Sequence, residues 1–181
     1  MERLNSAFIG ESHEAIAKIL SYFPTVKTVL DPTYGKGVFY KSCPFLSIIG
    51  KDLELDFRHL PFKDASFDAV IIDPPYQQGG RASAYEGSYG LWGRSTNNLI
   101  AAYIEGIYEG LRVATGIVIA KCADAVESGK FVPVATRIIS SVNRPLWDML
   151  IVVRYSSMTH PSWKTVEHFR HNYAYYLVWR K

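Results

Sequence analysis

The sequence predicts a doubly wound α/β fold: a mainly parallel sheet with helices on both faces and an antiparallel last strand. Three observations predict it. Short apolar strand segments alternate with helical segments through most of the chain. The run Ala69–Ile72 is apolar without alternation, as in a strand covered on both faces. The last two strand segments are joined by a polar, irregular stretch with no helical period, which favours antiparallel pairing.

The elements follow in order. Ser12 to Phe23 reads as a helix, with Ala15, Ile16, Ile19, Leu20 and Phe23 on one face. Ser12 is its expected cap, Glu14 suits its first turn and Pro24 stops it. Val26 to Leu30 and Ser47 to Lys51 are short strands, and Ala69 to Ile72 is a third. Leu99, Ile100, Tyr103, Ile104, Ile107, Tyr108 and Leu111 mark a long helix, with caps available among Ser95 to Asn98. Gly116 to Ala120 is a strand and Pro133 to Val142 a helix. Leu150 to Tyr155 and Tyr173 to Trp179 are the closing strands.

With 181 residues, the chain is expected to form one domain, residues 1–181. Apolar and aromatic residues make up 48% and charged residues 20%, which excludes a disordered chain. The net charge of +3 points weakly to an anionic partner. Cys43 and Cys122 form neither a metal spacing nor a disulfide framework, so they are expected to be reduced thiols of a cytoplasmic protein. The start, MERLNSAFIGESHEA, lacks the apolar run of a signal peptide. No apolar run is long enough to span a membrane.

Three stretches carry chemistry. In VLDPTYGKGVF a strand ends at Asp31 and a turn follows with Gly35 and Gly37, where a ligand can approach the backbone. The turn lacks the third glycine of a dinucleotide fingerprint and the Gly-Lys-Ser/Thr ending of a P-loop. In IIGKDLELDF, Asp52 lies just past a strand, where an acid can accept from both hydroxyls of a ribose; Glu54 is a nearby substitute. Asp56 can take an adenine amino proton, and Phe57 can cover its face. In DAVIIDPPYQQGG a buried strand ends in Asp73, Pro74, Pro75 and Tyr76, a stiff polar corner.

These stretches, in this order, resemble the class I S-adenosylmethionine-dependent amino-methyltransferases. LDPTYGKG resembles their cofactor loop, GKDLE their ribose-binding acid and DPPY their catalytic motif. More narrowly, DFRHLPFKDASFDAVIIDPPY, the pair Lys121–Cys122, Ser128–Lys130 and the closing HNYAYYLVWRK resemble small phage and actinobacterial DNA methylases. The resemblance implies a Rossmann-like sheet of the seven-stranded type. It implies S-adenosyl-L-methionine held by Asp31, Pro32, Thr33, Tyr34, Gly35 and Gly37, by Asp52, Asp56 and Phe57, and bordered by Asp73.

The chemistry accounts for the motif. An exocyclic amine on adenine or cytosine is a poor nucleophile, because its lone pair is delocalised into the ring. Two acceptors facing its N–H bonds, the Asp73 carboxylate and the Pro74 carbonyl, favour a pyramidal nitrogen. Pro75 stiffens the corner and Tyr76 can stack on the base. Catalysis is then mostly positioning and electrostatics. Carbon-5 methylation of cytosine would need a cysteine nucleophile of a Pro-Cys pair, which is absent.

The resemblance implies a flipped DNA base, adenine N6 first and cytosine N4 next. Arg81 and Arg94, in the glycine-rich stretch after Tyr76, are candidates to meet phosphates, and Tyr85, Tyr89 and Trp92 to stack. Lys121, Lys164 and Arg170 are further nucleic-acid candidates, the last two in a basic, aromatic stretch from Ser156 to Asn172. The histidines there have no clean ligand spacing, so no metal is expected.

Asp52 and Asp56 stand closer together than in larger relatives. Either the sheet is trimmed here or only one of them contacts the cofactor. No separate target-recognition domain is expected, so specificity falls to the two loops, a second copy or a partner subunit. An RNA guanine-N2 methylase, a non-catalytic nucleic-acid-binding subunit and a small-molecule N-methylase are the competing readings.

Overall fold

Apolar runs without alternation must be covered on both faces, and the chain covers them. The structure, a computed structural model, describes residues 5–50, 53, 55–75, 95–154 and 171–181. Its main sheet has seven strands: β1 (Ala7–Ile9), β2 (Thr28–Leu30), β3 (Ser47–Ile49), β4 (Phe67–Ile72), β5 (Ala114–Cys122), β8 (Asp148–Val153) and β9 (Tyr173–Arg180). A separate hairpin pairs β6 (Ala125–Glu127) with β7 (Lys130–Val132). The helices are α1 (Ser12–Ser21), α2 (Thr96–Val113) and α3 (Val134–Ser141), with a short 3₁₀ turn at Val38–Tyr40.

The strand order is β1-β8-β9-β5-β4-β2-β3. Strand β9 runs antiparallel to β5 on one side and β8 on the other, while the remaining pairs are parallel. The fold is therefore the Rossmann-like α/β sheet with an antiparallel last strand that the sequence predicts. The antiparallel strand lies inside the sheet, two positions from its margin.

Two cores flank the sheet. On one face α1 packs Ala15, Ile16, Ile19 and Leu20 with Val29, Ile71 and Ile119. On the other, α2 and α3 bury Tyr103, Ile107 and Ile138 with Val70, Val118 and Trp179. Helix α2 comes close because its inner face carries glycines. A Cβ on Gly106 would overlap the Phe57 ring, and one on Gly110 would press Val118 at 3.2 Å. Arg112 ties the loop before β4 to α2, bonding Glu109, Asp64 and the carbonyls of Leu60 and Phe62.

Several boundaries differ from the sequence reading. The N-cap of α1 is Glu11, not Ser12; Glu14 accepts from the Glu11 N–H at 2.7 Å, and Ser12 is already helical. Helix α2 is capped by Ser95, whose Oγ accepts from the Asn98 N–H at 3.2 Å. Strand β1 and the β6–β7 hairpin were not expected, being three-residue strands fixed by pairing rather than pattern. Among the described residues no strand or helix separates β3 from β4. The sheet is thus short on the β3 side and reaches seven strands through β1 at the opposite margin. No helix among the described residues is long and apolar enough to cross a membrane.

Candidate active site at the carboxyl ends of β2 and β4

Strands β2 and β4 pair in parallel, Leu30 opposite Val70, so the residues that follow them emerge side by side. Asp31 follows β2 and Asp73 follows β4. The Asp31 N–H donates to the Ile49 carbonyl at 2.8 Å, which fixes its backbone to the end of β3. Gly50 (φ +137°) crosses directly over this point, and a Cβ there would overlap the Asp31 carbonyl oxygen.

The Asp31 carboxylate is fully buried, and the chain itself supplies its partners. Oδ1 accepts from the Thr33 N–H and the Thr33 hydroxyl, each at 2.9 Å. Oδ2 accepts from the Tyr40 hydroxyl at 2.6 Å. The same Thr33 oxygen accepts from the Asp73 N–H at 2.8 Å. One hydroxyl therefore links the glycine turn to the Asp73 corner, with its proton toward Asp31 and its lone pair toward Asp73.

Burial pushes the Asp31 carboxyl up from 3.8 to about 6, although the bonds from Tyr40 and Thr33 pull it down. The sign of the stability effect follows. The fold prefers the neutral acid, so the contribution is complete below pH 4 and is lost as pH rises through about 6. A shift of about two units corresponds to roughly 3 kcal/mol. Asp31→Asn keeps an acceptor for Thr33 and cannot ionise. It is expected to unfold at higher urea than the wild type at pH 7.5, with the gap closing at pH 4.5. A gap that does not change with pH would rule out this account.

The turn after Asp31 is shaped by two left-handed glycines, Gly35 (φ +53°) and Gly37 (φ +64°). Gly37 has a steric reason as well, because a Cβ would run into the Tyr34 ring. Tyr34 stacks on Tyr40 with centroids 5.7 Å apart and planes 10° apart. Pro32 and Thr33 are buried beneath the turn, while Gly35 and Lys36 are exposed.

The turn and the corner line one cleft of about 220 Å³, bordered by Ser12, Thr33–Lys36, Val38, Phe39, Asp73, Pro75 and Lys121. Pro74 is buried behind Asp73. Lys121 rises from the end of β5. Its Nζ donates to Asp73 Oδ2 at 2.8 Å and lies 5.0 Å from the Phe39 ring centroid. Its side chain is only 8% exposed, against 19% for Asp73. Lys121 is therefore a largely buried partner of the Asp73 corner. The Tyr103 hydroxyl donates to the Lys121 carbonyl at 2.6 Å and anchors this strand end to α2.

Two expected cofactor contacts are placed differently. Phe57 is wholly buried beneath α2, against Gly106, so its ring is not presented to a ligand. Both oxygens of Asp56 are held by Arg58, at 2.9 Å from Nε and 2.7 Å from the terminal nitrogen. That pairing lowers the Asp56 carboxyl despite partial burial. Asp52, Tyr76, Arg81, Arg94, Lys164 and Arg170 lie outside the described residues. Neither cysteine is a candidate nucleophile: both are buried, and burial raises each thiol.

The sequence reading missed Tyr40 as a partner of Asp31, because a 3₁₀ turn brings it back over nine residues. It also missed an aromatic rim beyond β5. There Phe131, about half exposed, meets His171 at 5.5 Å, and the hydroxyls of Tyr173 and Tyr175 both donate to Asp124.

No family profile matches the sequence, and no curated protein matches it. Solved structures resemble it in architecture at low identity. A SAM-dependent methyltransferase from Archaeoglobus fulgidus is 10% identical over 95% of each chain, with a TM-score of 0.45. A 16S rRNA (adenine(1408)-N(1))-methyltransferase from Catenulisporales acidiphilia is 9% identical, covering 98% of this chain and 94% of its own, with a TM-score of 0.38. A protein from Thermus thermophilus described as a putative DNA modification methylase is 14% identical over 98% of this chain and 53% of its own, with a TM-score of 0.29.

Proposed function

We propose that this chain is an S-adenosyl-L-methionine-dependent methyltransferase acting on an exocyclic amino group of a DNA base, adenine N6 or cytosine N4. One observation carries the reading. Asp73 and Pro75 of the corner and the glycine turn border the same cleft, joined through the Thr33 hydroxyl, which accepts from the Asp73 N–H.

The residues fit the cofactor by their chemistry. Gly35, in the left-handed region, leaves backbone open on the cleft, Tyr34 and Phe39 offer aromatic surface there, and Asp73 puts an acid on its lining. In this reading Asp31, Pro32, Thr33, Tyr34, Gly35 and Gly37 form the cofactor side, and Asp52 is the ribose acid. The bound cofactor supplies an electrophilic methyl. The chain's own part is to present the amine. Asp73 would accept from one N–H and the Pro74 carbonyl from the other, so that the nitrogen lone pair is freed from the ring, and the proton the amine must lose on methylation would pass to the Asp73 carboxylate and on to solvent. Tyr76 stacks on the flipped base.

The test is transfer of labelled methyl to duplex DNA, single-stranded DNA and RNA, with nucleoside mass spectrometry of the product. N6-methyladenine or N4-methylcytosine in DNA is the expected result. Label confined to RNA guanine would replace this reading with the RNA one. Cofactor binding without label in any nucleic acid would point to a binding subunit or a small-molecule enzyme.

A further inference from the structure

The ion pair on the cleft floor carries a second message, which rests on the amino-methyltransferase reading. Asp73 Oδ2 and Lys121 Nζ stand 2.8 Å apart and border the same cleft. One is an acceptor and the other a donor. Both are largely withdrawn from solvent, and the lysine is fixed by β5, by the Tyr103 bond to its carbonyl and by the Phe39 ring beneath its ammonium. An ammonium has three N–H donors.

An acceptor beside a donor at this separation is the pattern that thymine presents to adenine. It is complementary to an N–H next to a ring-nitrogen lone pair. Adenine offers that edge at N6 and N1, and cytosine offers it at N4 and N3. The amine of guanine is flanked on its pairing edge by N1–H, a second donor, which would face the ammonium without a lone pair. We infer that Asp73 and Lys121 act together as a base-reading edge. Asp73 takes the amine, and Lys121 donates to the adjacent ring nitrogen and selects adenine or cytosine against guanine presented by its pairing edge. Rejection of guanine then rests on placing a donor opposite a buried cation, the kind of mismatch that discriminates strongly.

The experiment pairs a substrate change with a side-chain change. An oligodeoxynucleotide that the wild type methylates is compared with one whose target adenine is 1-deazaadenine, or 3-deazacytosine for a cytosine target. Both are assayed with the wild type, Lys121→Met and Lys121→Arg. Loss of a hydrogen bond to a charged group predicts that the deaza base lowers kcat/KM by about 10–100-fold in the wild type. Lys121→Met should lose a similar factor on the natural base, yet show under about 2-fold further loss on the deaza base. Lys121→Arg keeps a cationic donor and should retain the discrimination even if its rate is lower. Persistence of the full deaza penalty in Lys121→Met, or no penalty in the wild type, overturns the inference alone. A wild type that methylates only guanine, or no base, overturns the functional reading and this inference with it.

Discussion

Asp73→Asn is expected to lower the rate of amine methylation by about 10²–10³-fold, the usual effect of removing one preorganised electrostatic partner. The amide keeps the shape of the corner and its backbone bond to Thr33. It loses the full negative charge that accepts from the target amine. The substitution also leaves Lys121 beside a neutral group in a site where its side chain is 8% exposed. Breaking one half of a buried pair costs stability for reasons unrelated to chemistry. Asp73→Asn should therefore be read beside the double variant Asp73→Asn/Lys121→Met, which removes the lysine's charge as well. The double variant is expected to recover melting temperature without recovering rate. The rate is measured at saturating cofactor, so that occupancy does not enter. Retention of more than a tenth of the wild-type rate by Asp73→Asn would remove Asp73 from the reaction.

Gly50→Ala is expected to be the most damaging small substitution in the fold. At φ +137° any L side chain is strained, and here the added carbon meets the Asp31 carbonyl, which cannot swing aside. Relief requires β3 and β2 to separate at their carboxyl ends, breaking the Asp31–Ile49 bond. A loss of roughly 3 kcal/mol or more follows, in the range of special-backbone substitutions. The effect should reach the site too, because Asp31 orients Thr33 and Thr33 holds Asp73. Urea unfolding and cofactor titration on the same sample test both claims. A stability loss under about 1 kcal/mol, with unchanged cofactor affinity, would contradict them.

Much of this was legible in the sequence because its signals are local. The short apolar segment Val26–Leu30 and the unbroken apolar run Ala69–Ile72 placed buried strands, and Asp31 and Asp73 stand where those strands stop. The 3.6-residue spacing from Leu99 to Leu111 placed α2. What escaped depends on partners distant in the chain. Strand β1 exists because Phe8 lies opposite Val152. Phe57 appeared free to cover a ligand, but Gly106 opens a slot for it in α2, and no spacing rule announces that. Lys121 looked like one more basic residue, and only the parallel pairing of β4 with β5 brings it to Asp73. Arg58, two residues after Asp56, could have warned that this acid had a nearer partner.

The position of β9 sets an order of assembly. Strand β8 reaches the rest of the sheet only through β9, and β1 only through β8. During synthesis, β2 to β5 can zip together as each emerges, but β1, made first, and β8 must wait until Tyr173–Arg180 has appeared. Until then the β5 margin offers unpaired backbone to any passing strand, a hazard that folded sheets normally conceal. Four of the seven strands can thus pair as they are made, and the other three can join only once β9 is present. A ribosome pause just before that strand would hold the nascent protein in its most aggregation-prone form.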